Sequence, residues 1–125
     1  MEYFIRITPQ GAVSTVSTEN PHLYWYYGQI NADSIEIVRG FADRSKQVMV
    51  VDEEGLMNGS AVNPIASLLY GHVICGTVLI AREDLRNGEP DIVGFTVEQV
   101  TAARMALHVF LMKTEMFEDT DKEGD

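Results

Sequence analysis

His72-Val-Ile-Cys-Gly-Thr-Val-Leu-Ile-Ala81 is the stretch on which the fold turns. It is short and rich in β-branched residues, and the charged Arg82-Glu-Asp84 follows at once. Such a run reads as a strand buried on both faces, the middle of a small sheet.

Working outward, the segments before it alternate. Met1 to Thr8 sets Tyr3, Ile5 and Ile7 against Glu2, Phe4 and Arg6. Pro9-Gln10-Gly11 is a turn signal, and Ala12 to Ser17 alternates again, predicting a hairpin. Ser34 to Arg39 and Gln47 to Asp52 predict a second antiparallel hairpin, joined by a polar turn from Gly40 to Lys46 with Arg44 and Lys46 exposed.

Two Asn-Pro pairs open short helices, since asparagine is a good N-cap and proline at the first helical position gives up an N–H that would be orphaned anyway. Asn20-Pro21 predicts a helix to Tyr27 stopped by Gly28, and Asn63-Pro64 one through Ile65, Leu68 and Leu69 before Gly71. After the organising strand, Asp84 to Gly94 contains Asn87-Gly88, Pro90 and Gly94 and predicts a mobile loop. The one long helix starts at Thr96, where Thr96 and Gln99 have capping-box spacing and Glu98 suits the helix dipole. Val97, Val100, Ala103, Leu107, Phe110 and Leu111 give it a sheet-covering face.

The expectation is therefore α+β: one domain over residues 1–113, with a mostly antiparallel sheet of about five strands, two short helices and one long C-terminal helix. Residues 114–125 predict a disordered acidic tail, with too little apolar content to order itself.

The bulk numbers agree with one folded domain. At 125 residues and 46% apolar content the chain can bury a core without metal or disulfide. The single cysteine, Cys75, lies in the most apolar run and reads as a small buried hydrophobe in a reducing cytoplasm. The N-terminus has no secretory pattern, and the apolar stretch from Leu68 to Ala81 is interrupted by Gly71 and His72 and too short to span a bilayer, so a soluble protein is expected. The net charge of −10 divides evenly: residues 115–125 hold six acids against one base, leaving −5 there and −5 on the remainder. Direct nucleic-acid binding is not expected, because neither part offers a basic patch.

Several residues invite a chemical reading. Leu23-Tyr-Trp-Tyr-Tyr27 is the densest aromatic patch, with Tyr24, Trp25 and Tyr27 as candidate binding residues. A base-stacking or ligand platform is one account; a helix packing a face on the sheet is the other, favoured because no basic residues are interleaved. Asp52, Glu53 and Glu54 stand together before Gly55, but adjacent residues at a strand end diverge and no EF-hand spacing accompanies them. A solvated hairpin turn with Gly55 at positive φ is the better reading. Arg104, beside the apolar stripe of the last helix, is either a snorkelling side chain or a cation for a bound anion or partner carboxylate. His22, His72 and His108 fall on three elements and read as structural. No phosphate loop, zinc spacing or nucleophile elbow is visible, so no catalytic residue, metal or cofactor is expected.

One resemblance narrows the setting. Tyr27-Gly-Gln-Ile30, Ile35-Glu-Ile-Val38, Val50-Val-Asp-Glu-Glu-Gly55, Asn63 within Gly59-Ser-Ala-Val-Asn-Pro64, and Ile74-Cys-Gly-Thr-Val78 together resemble the small bacterial, plasmid and bacteriophage family known as domain of unknown function 3846. The likeness runs from Leu23 to Val100, and its motifs are mainly structural glycines and turn residues. The glycine pair usual before the first isoleucine is Tyr27-Gly28 here, and the long helix and acidic tail look like an extension. The resemblance implies an α+β fold in a phage or mobile-element setting and brings no catalytic residues.

The function expected is that of a non-enzymatic accessory protein that binds and modulates or inhibits a host protein, one with a basic, nucleic-acid-handling surface. The alternatives are a binder of a small nucleotide-like molecule, in a pocket between subunits near the aromatic patch and Arg104, and an acidic DNA mimic. Exposed strand edges and the aromatic run also point to a homodimer.

Overall fold

The computed structural model describes residues 1–41 and 46–114, so Arg44 and the acidic tail beyond Thr114 lie outside the described residues. In chain order the elements are β1 (Glu2–Ile7), β2 (Val13–Thr18), α1 (Leu23–Ile30), β3 (Ile35–Val38), β4 (Gln47–Asp52), α2 (Pro64–Tyr70), β5 (Val78–Arg86), β6 (Glu89–Val93) and α3 (Val97–Thr114). The strands form one six-stranded antiparallel sheet in the order β2-β1-β5-β4-β3, with β6 paired to β5 off this path. The class is the expected single α+β domain, and both expected hairpins form.

The organising strand is central, but its boundaries move. It begins at Val78 and runs on through Arg86. The residues before it bond to the preceding loop instead of to strands. Asn63 N–H donates to Ile74 O at 2.8 Å and Gly76 N–H to Ala61 O at 2.8 Å. The first half of β5 pairs with β1 and β4, and its charged second half pairs with β6. What the composition predicts as a mobile loop is thus a hairpin. Asn87 and Gly88, at φ 54° and 80°, have the positive φ that a two-residue type I′ turn demands, and glycine adopts it without steric cost. Glu2 fastens β1 to this hairpin: its carboxylate accepts the Gly94 N–H at 2.8 Å and pairs with Arg86 at 3.2 Å.

Strand alternation sends side chains to two cores. On one face Ile5, Ile7, Met49, Val78 and Ile80 meet Ile65 and Ala66 of α2 and Val100, Leu107 and Leu111 of α3. On the other, Phe4, Val48, Val50, Leu79 and Ala81 meet Tyr26 and Ile30 of α1. The sheet is therefore the middle of three layers, with α1 the one described helix on its side. Fully burying each large aliphatic or aromatic side chain stabilises the fold by about 1.5–3 kcal/mol.

Two of the three helix starts fall as the sequence predicts. At α2, Asn63 Oδ1 accepts the Ala66 N–H at 3.1 Å. At α3 the capping box closes reciprocally: Gln99 N–H donates to Thr96 Oγ1 at 3.1 Å, and Thr96 N–H to Gln99 Oε1 at 2.8 Å. The third differs. Asn20 does not cap α1; His22 does, its Nδ1 accepting the Trp25 N–H at 3.4 Å. Nor does Gly28 stop it. The helix passes through to Ile30, held by burial of that side chain, and ends at Asn31 in the left-handed conformation. Among the described residues, no helix is long and apolar enough to cross a membrane.

Candidate functional site

α1 is the element whose sequence the fold uses least. An eight-residue helix is too short to be stable alone, so the sheet must hold it. Phe4 supplies the seat, with ring centroids 4.9 Å from Trp25 and 5.8 Å from Tyr26. Arg6 Nε donates to Gln29 O at 2.8 Å, and the Tyr26 hydroxyl points at Ile92 O at 3.4 Å. Burial of that phenol, with Glu2 and Asp91 nearby, pushes its pKa well above the ordinary tyrosine range, so Tyr26 is neutral in the fold.

With Tyr26 and Ile30 turned inward, helical periodicity turns Tyr24 out. Its side chain is 76% exposed, an unusual position for a large aromatic. It is nonetheless ordered by its neighbours. The Tyr24 ring meets that of Tyr27 edge-on at 5.8 Å, and the His22 ring lies 6.4 Å from it. The result is a short ladder of three rings, His22 and Tyr24 exposed and Tyr27 half-buried, next in the chain to Leu23, which is 49% exposed. Neither the Tyr24 nor the Tyr27 hydroxyl is bonded to a described residue. Gly28 lies next to Tyr27 and exposed, and open space surrounds the place where a Cβ would sit. That leaves a bare patch of backbone beside the rings.

Carboxylates flank α1 in the chain. Exposed Glu19 precedes α1, and exposed Asp33 follows it. Glu53, also exposed, is tied to the α1–β3 connection through its N–H, which donates to Ser34 O at 3.2 Å.

The other candidate residues fall in separate places. Trp25 is turned partly toward the sheet. Asp52 organises the turn after β4, its two oxygens accepting the Glu54 N–H at 2.9 Å and the Asn58 Nδ2–H at 3.0 Å, while Glu54 points to solvent. This turn leads to α2, not to a paired strand, and Gly55 is not at positive φ. Glycine is needed there for close approach: a Cβ would stand 2.7 Å from Cys75 O. Asn63 is fully buried, its amide donating to Ile7 O at 3.0 Å and Gly76 O at 2.8 Å, which is a structural assignment. Arg104 joins α3 to the edge strand, donating to Thr15 Oγ1 at 2.9 Å and Val13 O at 3.3 Å. It lies on the opposite side of the sheet from the aromatic ladder.

Sequence reasoning did not find the charged ribbon of the β5–β6 hairpin. Arg86 pairs with Glu2 and Asp91, and Arg82 and Lys46 with Asp84. Arg39 donates twice to Glu83, at 2.8 and 2.6 Å. The signal was present as alternating charges around Asn87-Gly88. The Arg39 guanidinium holds Glu83 below the usual carboxylate range, and the Leu85 N–H, then Lys46, does the same for Asp84. A groove of about 230 Å³ runs beside this ribbon, between Glu2, Arg82, Arg86 and Thr96. Its arginines are already neutralised by carboxylates, and its volume is below the range of ordinary ligand pockets. Among the described residues, no group of three or more His, Cys, Asp or Glu is arranged to hold a metal ion.

Comparison with known proteins gives one match. The family model described as Domain of unknown function (DUF3846) covers residues 1–108, from β1 into α3. No curated protein and no solved structure matches the chain.

Proposed function

The chain belongs to the DUF3846 family, and from that premise we propose that it acts by binding another protein, with the outer face of α1 as its contact surface. It is read as an accessory protein of a phage or mobile element, working in the bacterial cytoplasm without catalysis, and modulating or inhibiting a host protein. The observation that carries the proposal is Tyr24, exposed to solvent beside exposed His22 and held edge-on against the half-buried ring of Tyr27.

The chemistry of that face selects a partner. Tyrosine gives large contact area at low entropic cost, and aromatic side chains dominate the energetic centres of protein interfaces. A partner arginine or lysine gains by lying over a tyrosine ring. Exposed Glu19 and Asp33 flank α1 in the chain, Glu53 bonds to the α1–β3 connection, and the net charge of −10 steers a basic surface toward the protein. A host protein with a basic patch, of the kind that handles nucleic acid, is the partner this chemistry fits. Among the described residues the small-ligand alternative is less well supported, since the aromatic patch and Arg104, which its pocket would join, lie on opposite sides of the sheet.

The test is native mass spectrometry on the full chain recovered from a bacterial lysate at low salt. One stoichiometric protein, released as salt rises and not captured by Tyr24→Ala, is the expected result. A small bound mass with no protein would overturn the proposal.

A further inference from the structure

α3 is apolar on two opposite faces. Its inner face, Val100, Ala103, Leu107 and Leu111, covers the sheet. On the solvent side Ala102, Met105, Val109 and Met112 follow the 3–4 spacing of a heptad seam, and every one of them is exposed, Met105 at 65%. A helix that covers a sheet needs one apolar face, while a second at coiled-coil spacing matches what a facing helix buries.

We propose that this outer seam is a homodimer interface in which α3 packs antiparallel against α3 of a second copy. Charge selects both the occupant and the direction. Glu98 lies on the seam line at the start of the helix and Lys113 flanks it at the end, both exposed. The register that sets Met105 opposite Val109 of the second copy brings the two charges within about 4.5 Å along the helix axis, twice by symmetry. A parallel arrangement would instead set Glu98 against Glu98 and bring together the two runs of acids after Thr114, each carrying −5. Antiparallel packing keeps those runs at opposite ends of helices roughly 27 Å long. Because α1 lies on the other side of the sheet, the dimer presents two ring ladders outward, and a partner with two sites gains by avidity.

The experiment is sedimentation equilibrium on the full chain over micromolar concentrations. The wild type is expected at the mass of two chains, and Met105→Glu/Val109→Glu at the mass of one, with an unchanged far-ultraviolet circular dichroism spectrum. Glu98→Lys is expected to weaken the dimer by about tenfold, and adding Lys113→Glu to restore it. A wild type that stays at one chain mass, or a Met105→Glu/Val109→Glu variant that stays at two, would overturn the interface. Failure of the second charge reversal to restore association would overturn the antiparallel register. Loss of the dimer on Tyr24→Ala in place of the α3 changes would move the interface to α1.

Discussion

The dipeptide Asn-Pro occurs twice, before α1 and before α2, and the two copies behave differently. Asn63 is fully buried, caps α2, and holds two further strands of chain through Ile7 O and Gly76 O. Asn20 is exposed; its N–H turns back to Thr18 Oγ1, and the cap passes to His22. The same local chemistry is used at one site because tertiary carbonyls await the asparagine amide; at the other, no described residue accepts from the amide. α2 is fixed in the core by its N-cap residue. α1 begins in solvent, is held by its inner face, and turns Tyr24 outward. The contrast separates residues that hold the fold from residues left for a partner.

The largest effect is expected from Asn63→Ala. It removes a cap worth about 1 kcal/mol and strands two carbonyls in the interior, for a loss of about 3 kcal/mol in urea unfolding. A loss below about 1 kcal/mol would erase the contrast.

Gly28→Ala comes next and has two readouts of opposite sign. Gly28 is helical and open to solvent, so alanine is expected to stabilise by about 0.5–1 kcal/mol. Partner capture is expected to weaken, because a methyl group then stands on the bare backbone beside Tyr27. Unchanged capture would confine the contact to the rings. Asn20→Ala is expected to shift stability by less than about 0.5 kcal/mol, the ordinary scale of a surface change.

The smallest effect concerns acid. Glu83 and Asp84 have carboxyl pKa values lowered in the fold, so their contribution is present above their ordinary values, 4.5 and 3.8, and is lost as pH falls through the lowered ones. Urea midpoints are expected to fall modestly below about pH 4, with the Glu83 part absent in Arg39→Ala. Both carboxylates are partly open to solvent, and its screening keeps the effect small.

Much of this architecture was legible from residue pattern. The β1–β2 and β3–β4 hairpins, the Asn63 cap and the Thr96–Gln99 box are local devices, and local chemistry announces them. The central strand was recognised but misplaced, because Ile74 and Cys75 are buried while their stretch of backbone bonds to the preceding loop, whereas Arg82 to Arg86 pair into the sheet despite their charge. Pattern reads apolar content, and sheet edges are where content and pairing part. The aromatic run was visible as a candidate, but which rings face water depends on the seat that Phe4 provides, and nothing local in α1 states that. Arg104 and Asp52 attracted attention by residue type, and their roles follow from partners distant in the chain or in a turn.

The most direct test of the account compares capture of a bacterial protein by the wild-type chain and by Tyr24→Ala/Tyr27→Ala, matched for folding by thermal unfolding. The account predicts that the double variant unfolds at the wild-type temperature within a few degrees and captures nothing. Retained stoichiometric capture by the folded double variant would contradict it.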